Sequence, residues 1–299
     1  MTATTAIPAA SPTKDAPAPR PRRRRRLRRH DRASAFTYAI LIFATLVSAF
    51  PFYWSIVAAT HGNADINSVP PPFLPGGKFD SFDRAADQAH IGKALINSTI
   101  VSGTVALGTV LACTLAGFAF AKLRFRGRGA LLSFTVGTMM IPPQLGLIPL
   151  YMMMAKLGWA NQLQSVILPT LVTAFGVFFM RQYLAEALPD ELIEAGRVDG
   201  ASYFRIFVSI VLPAARPAMA VLGLLTFMTT WNDFFWPIIA LSQDNPTVQV
   251  AINSLGGGYV PDQSVILAGT VLGTLPVLVV FGLLGRQIVG GIMQGAVKG

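Results

Sequence analysis

Three histidines, one cysteine and fourteen carboxylates are all that this 299-residue chain offers to acid–base, nucleophilic or metal chemistry, and their placement excludes most of it. His30, His61 and His90 are scattered and show no His-Glu-x-x-His spacing, the arrangement that puts two imidazoles on one helix face. Cys113 stands alone inside an apolar run, which rules out a disulfide and a cysteine-built metal site. No Gly-x-x-x-x-Gly-Lys-Ser/Thr run is present to cradle phosphates, and no Gly-x-Ser-x-Gly elbow to present a nucleophile. No catalytic residue and no metal ligand is therefore expected. What remains is Asp233, within Trp231-Asn232-Asp233-Phe234-Phe235-Trp236-Pro237 in a long apolar stretch. An acid placed in hydrocarbon costs about 2.5 kcal/mol or more and is a functional candidate by default. Three roles fit it: an ion-coupling group, an interfacial anchor, or one member of a binding surface. In the last, flat rings would cover apolar faces of a ligand while Asn232 and Asp233 take its hydroxyls.

The second polar feature is Glu194-Ala195-Gly196-Arg197-Val198-Asp199-Gly200, followed by Ile210-Val211-Leu212-Pro213. Pro189 suits the first turn of a helix, and Asp190, Glu191 and Glu194 load that end with charge favourable to the dipole. Leu188, Leu192 and Ala195 recur at helical spacing as one apolar face, with Glu191 and Glu194 on another. Asp199-Gly200 predicts the turn, because glycine accepts a positive φ at no steric cost. A second short helix from about Ser202, with Phe204, Phe207 and Val208 on one side, is predicted to end at Pro213 and Pro217. This helix-turn-helix between two hydrophobic runs reads as a docking element for a soluble partner.

These residues need a membrane around them. The chain is 53% hydrophobic and 13% charged, about half the charge of an ordinary soluble domain. Six apolar runs reach the length that crosses roughly 30 Å of hydrocarbon, near residues 35–59, 94–121, 130–154, 164–184, 217–241 and 264–285. Pro51, Pro142 with Pro143, Pro169, Pro237 and Pro276 fall within them and predict kinks. At Pro142-Pro143-Gln144 the helix must bend or break; such a break can line a pathway or serve packing alone. The predicted fold is an all-α polytopic bundle of six transmembrane helices with a cytoplasmic coupling helix.

Charge orients the bundle. Residues 1–34 form an alanine- and proline-rich tail that carries ten of the 24 basic residues, and its composition predicts disorder. Lys122, Arg124, Arg126 and Arg128, then Arg181, Arg197, Arg205 and Arg216, then Arg286 and Lys298 fall on the same side as that tail. The other side keeps Lys78, Arg84, Lys93 and Lys156 beside six aspartates. The positive-inside rule places both termini and the Glu194 loop in the cytoplasm. The basic run reads as a contact with membrane lipid rather than nucleic acid. The organisation is a tail at 1–34, a first span and outer loop at 35–93, a five-helix core at 94–285 with a coupling loop at 186–213, and a tail at 286–299. Outer segments 60–93 and 242–262, the latter with Gly256-Gly257-Gly258-Tyr259, are candidate contacts for an external protein.

The Glu194 loop resembles the EAA loop of ABC transporter permeases: Glu194, Ala195, Gly196, Gly200, Ile210, Leu212 and Pro213 keep every interval, with glycine in place of the third-position alanine. The Trp231 string and the ending Gly295-Ala296-Val297-Lys298-Gly299 resemble permeases of maltose-type carbohydrate importers. The resemblance covers roughly residues 36–299. It implies that Glu194, Ala195, Gly196, Asp199, Gly200, Leu212 and Pro213 couple to an ATP-binding subunit dimer. It implies further that Gln294, Gly295, Lys298 and Gly299 enter that dimer's interface. Trp231, Asn232, Asp233, Trp236, Pro142 and Gln144 are candidates for the substrate pathway. The partners it implies are a second related permease, the ATP-binding subunits, an extracytoplasmic solute-binding protein and a carbohydrate, an oligosaccharide in the first instance. This chain would bind no cofactor, ATP and Mg being held by the partner subunits, and it would reside in the bacterial cytoplasmic membrane. Alternatives are a permease of the same type for a solute such as glycerol phosphate, or a secondary transporter using Asp233.

Overall fold

The computed structural model describes the backbone of residues 34–296 and side chains through residue 283. The chain divides into two compact units, residues 1–48 and 49–299. The basic run at 22–29 lies outside the described residues. The described part of the first unit is the start of α1 (Ala35–Ala59), whose side chains there are exposed and nearly all apolar, as suits a run solvated by hydrocarbon.

In the second unit, α1 ends on buried Val57, Ala58 and Ala59, and α2 (Asn63–Ile66) and α3 (Asp80–Gln88) follow. Asp80 and Asp83 occupy the first turn of α3, where the dipole favours them. The 32-residue α4 (Ile91–Lys122) is unbroken. The next span breaks at Pro142-Pro143: α5 (Arg128–Thr138) and the segment Pro143–Lys156, which holds α6 (Leu147–Lys156), meet at 90°. Two prolines in succession withhold two donors, so the ladder cannot continue. The span after it bends by 40° between α7 (Leu163–Ile167), extended by a tight turn through Thr170, and α8 (Ala174–Ala187). Thr173 restarts the helix by accepting the Gly176 N–H at 3.0 Å.

The chain then forms α9 (Asp190–Val198), α10 (Tyr203–Ile206), α11 (Leu212–Trp231), α12 (Phe235–Ala240), α13 (Val248–Leu255) and α14 (Gln263–Ala296). Among the described residues four helices are long and apolar enough to cross a membrane, and counting each bent pair as one span gives six, the expected number.

Two boundaries differ from the sequence reading. The fifth span is not 217–241 but Tyr203–Trp231, so Pro213 and Pro217 do not end the helix that starts after Ser202. A π turn at Phe207–Val211 joins α10 to α11 and places Pro213 in the first turn of α11, while Pro217 lies within the helix. The same turn buries Ile206 and Phe207 and leaves Phe204 and Val208 outside, against the expected face. The last helix also continues to Ala296, through most of the stretch expected as a tail, because Gly290 and Gly291 weaken a helix without stopping it.

Among the described residues the core falls into four packed clusters, and two of them position the sites. One joins the Lys122 end of α4 (Val110, Cys113, Phe118) to α8, Ile193 of α9 and α11. The other joins Val101 and Val105, nearer the start of α4, to Met154 of α6, Val166 of α7 and Trp236 of α12. In lipid, helices associate through close packing rather than water exclusion, so each cluster is held by the fit of its side chains.

Candidate functional site

The Glu194 segment is a rigid element fastened at both ends. Pro189 caps α9, and Asp190 receives the Lys122 ammonium at 2.7 Å, which ties α9 to the end of α4. The hydrogen bond and charge of Lys122 hold the Asp190 carboxyl below its ordinary pKa. At the other end Gly200 has φ +77°, its N–H donates to Arg197, and the Ala201 N–H donates to the Gly196 carbonyl at 2.9 Å. The expected glycine turn is present. The Arg197 guanidinium lies 4.4 Å from the centre of the Tyr203 ring, bracing α9 against α10.

The apolar stripe of α9 is rotated from the expected one. Leu188 is buried as read, but Ile193 and Gly196 complete the inward face, whereas Leu192 and Ala195 are exposed. Gly196 makes this possible: a Cβ there would come within 3.3 Å of Ile206, so glycine lets α10 approach closely. The exposed face of α9 therefore presents Leu192, Glu194, Ala195, Val198 (88% exposed) and Asp199. Among the described residues Glu194 makes no hydrogen bond or ion pair; with Lys122, Arg124, Asp190 and Arg197 it lines an open groove. Leu212 and Pro213 belong elsewhere, in the first turn of α11, where Leu212 packs against the core.

The second feature is a cavity of about 590 Å³ where two spans break. Thr170 and Thr173 flank the bend before α8; Thr226, Thr229 and Thr230 lie on α11, and Asp233 follows in the break before α12. Val105, Val166, Phe175 and Leu225 complete the wall. Asp233 is half-buried in the break between α11 and α12.

Of the nominated pathway residues, Asp233 alone lines this cavity. Trp231 is 2% exposed, donates from its indole to the Gly273 carbonyl at 3.3 Å and stacks on Phe227; it packs the core. Trp236 likewise donates to the Ser165 carbonyl at 3.0 Å from a buried position. Asn232 bonds back to the Met228 carbonyl and finishes α11. Pro142 and Gln144 sit at the 90° elbow, on an exposed apolar surface with Met140 (87%), Ile141, Leu145 and Ile148. The sequence reading missed the five threonines. Their signal was present on α11, where 226, 229 and 230 share one face at i, i+3 and i+4. Lys298 and Gly299 lie outside the described residues, as does the side chain of Gln294, and Gly295 is described only as part of the α14 backbone. Among the described residues no group of three or more His, Cys, Asp or Glu gathers to hold a metal.

Residues 91–292 match the family model described as binding-protein-dependent transport system inner membrane component. Over 262 residues the chain is 33% identical to the lactose transport system permease protein LacG of Rhizobium radiobacter, covering 87% of this chain and 95% of that protein. It is 30% identical to the sn-glycerol-3-phosphate transport system permease protein UgpE of Pectobacterium atrosepticum over 269 residues, 87% of this chain and 95% of the relative. Its fold is similar to a chain of a bacterial ABC transporter involved in the import of the acidic polysaccharide alginate. That match has a TM-score of 0.72 at 20% identity and covers 84% of this chain and 94% of the other.

Proposed function

This chain belongs to the family of binding-protein-dependent transport system inner membrane components, and from that membership we propose that it is the permease subunit of a bacterial ABC importer whose cargo is a carbohydrate. It is a transport subunit, not an enzyme; ATP and Mg²⁺ are assigned to separate ATP-binding subunits. The observation that carries the cargo is the lining of the cavity: five threonine hydroxyls and one carboxylate, with no basic side chain among the lining residues. Hydroxyls donate to and accept from a polyhydroxylated neutral ligand, and a carboxylate accepts from its hydroxyls. The similarity to the lactose permease points the same way. A phosphate-bearing cargo, suggested by the similarity to the glycerol-phosphate permease, would call for Arg or Lys where this cavity places Asp233.

Coupling is assigned to the exposed face of α9. Glu194, Ala195 and Asp199 stand there with Leu192 and Val198, an apolar patch edged by acid that suits a groove on an ATP-binding subunit. Gly196 and Gly200 shape the element, and Leu212 and Pro213 connect it to the fifth span. Closure of the ATP-binding dimer would push α9 and, through the continuous Tyr203–Trp231 helix, shift the threonine wall of the cavity. Gln294, Gly295, Lys298 and Gly299 are proposed to reach the dimer interface. The 90° elbow supports a second permease: backbone that leaves its helix at membrane depth is stable only against protein or water, and the apolar side chains around it lack a covering partner here. Both termini are assigned to the cytoplasm on the positive-inside rule. The segments 60–93 and 242–262 are assigned to the side of the solute-binding protein.

The test is to tag the chain, extract it from its native membrane and identify what accompanies it. An ATP-binding subunit and a second permease should co-purify, and vesicles made from the complex should take up a neutral oligosaccharide only with ATP and the binding protein. Isolated chain that transports without ATP would overturn the reading and return Asp233 to the role of coupling group.

A further inference from the structure

Two bent spans and the break between α11 and α12 divide the second unit. The helices α6, α7 and α12, on one side of the breaks, share a packed cluster with Val101 and Val105 of α4, whereas α8 and α11, on the other side, share a cluster with the Lys122 end of α4. The threonine-lined cavity lies between these clusters, walled by Val105 and Val166 of the first and by residues of α8, α11 and the breaks. Besides its apolar cluster, the α6–α7–α12 group is fastened by polar contacts that are not part of any motif.

Asn97 is 6% exposed on α4, and its amide nitrogen donates to Asn245 Oδ1 at 3.0 Å and to the Pro246 carbonyl at 2.9 Å. Asn245 donates in turn to the Asn161 carbonyl at 3.1 Å. Asn161 holds the corner between α6 and α7 with φ +60°, a conformation that asparagine tolerates better than most side chains. Its N–H donates to the Ala240 carbonyl at the end of α12, and its Oδ1 accepts from both the N–H and the hydroxyl of Ser242 at 2.9 Å. Asn97 is buried, and a buried amide is costly unless bonded; Asn245 is half-buried and Asn161 exposed, and the bonds of this three-residue hub are all made only when α4, the α6–α7 corner and the 241–247 segment are in place.

We propose that Asn97, Asn161 and Asn245 are positioning residues for transport: they fasten the α6–α7–α12 group to the unbroken α4 and so hold that group closed over the cavity on the side assigned to the binding protein. Transport then requires the group to move away from α4 about the breaks at 171–173 and 232–234, which parts Asn161 and Asn245 from Asn97. The hub sets how strongly the closed arrangement is favoured before the binding protein arrives. Loosening it shifts the population toward the open arrangement without that signal. The ATP-binding subunits, which close when the group opens, would then hydrolyse ATP unprompted. This inference rests on the importer reading above.

The experiment uses the whole complex in lipid nanodiscs and vesicles, with ATP hydrolysis measured with and without loaded binding protein and uptake measured alongside. Asn161→Gly keeps the positive φ and removes the acceptor for Ser242. Asn245→Asp keeps the acceptor for Asn97 and removes the donor to Asn161, a milder change that serves if the glycine variant does not assemble. Both should raise hydrolysis in the absence of binding protein by about fivefold, the size expected for loss of one net hydrogen bond, and should raise the ATP consumed per sugar. A merely structural role would lower the thermal midpoint and reduce uptake and hydrolysis together, leaving that ratio unchanged, and this result overturns the proposal. A wild-type complex that shows no stimulation by binding protein sinks the importer reading itself; stimulation in wild type with unaltered variants sinks only the hub.

Discussion

Gly117 shows how much of this fold rests on single atoms. A Cβ there would fall 2.7 Å from the Met180 Cβ, 2.8 Å from the Arg181 nitrogen and 2.9 Å from the Met180 carbonyl carbon, so α4 and α8 touch at backbone distance. Backbone cannot swing aside as a flexible side chain can. Gly117→Ala is therefore expected to destabilise the subunit by about 1–3 kcal/mol, the usual cost of overpacking, seen as a lower thermal midpoint in detergent. Gly103, on the same helix, has nothing within 4 Å of its added Cβ and is exposed. Gly103→Ala should be neutral or slightly stabilising, since alanine is the better helix former. Equal losses from both substitutions would show that helix propensity, not the α4–α8 contact, governs the result. In the sequence the two glycines are indistinguishable, each one small residue in an apolar run. The same blindness affected the Trp231 string: the pattern marked the right neighbourhood, but which members face the cavity depends on the break at 232–234, and only Asp233 does.

At the scale of elements, the long spans were legible because twenty or more apolar residues have few other fates. The elbow at Pro142-Pro143 was legible too, because two missing donors in a row cannot be absorbed. The fifth span was misplaced because a proline reads as a stop, whereas a π turn just ahead of Pro213 lets the helix continue; nothing in Phe207–Val211 announces such a turn. The correction matters for function. The segment after Gly200 is not a second loop helix but the start of a helix that reaches Trp231, one residue short of the cavity's break. The rotated face of α9 matters equally, because Leu192 and Val198 become candidates for docking rather than for the core. Leu192→Lys and Val198→Asp should each reduce uptake by about tenfold or more, as loss of a central apolar contact does at other interfaces, with membrane levels of the chain unchanged. Glu194→Lys should do the same. Ile193→Ala instead should lower stability, since Ile193 is 7% exposed within the core cluster. Full uptake by both Leu192→Lys and Val198→Asp would move the docking face off α9.

At the scale of the whole molecule, orientation decides whether these parts work together. The α9 face can receive an ATP-binding subunit only from the cytoplasm, and the hub can gate toward a binding protein only if residues 241–262 lie on the opposite side. The charge distribution supports this arrangement: the basic clusters after α4 and around α9 fall on one side, and the aspartate-rich segments on the other. The side that carries residues 241–262 also has its own fastenings. Arg84 of α3 reaches Asp262 at 2.7 Å, and Asn63 accepts the Gln263 N–H at 2.9 Å, so the segment 60–93 grips the start of α14. Burial opposes ionisation of Asp262, but the Ser264 hydroxyl and Arg84 outweigh it and keep the carboxyl below its ordinary pKa, so the grip persists at neutral pH. Just before it stands Tyr259, fully exposed. Cys113, the single native thiol, is buried and gives little background to a thiol reagent. Tyr259→Cys in whole cells or spheroplasts should therefore react with a membrane-impermeant maleimide, whereas Val198→Cys should react only once the membrane is opened. The reverse pattern would place α9 outside, where ATP-binding subunits cannot reach it, and would remove the coupling assignment together with the gate. Labelling of both from outside would mean that the span count between residues 198 and 259 is even, which the unbroken Tyr203–Trp231 helix argues against.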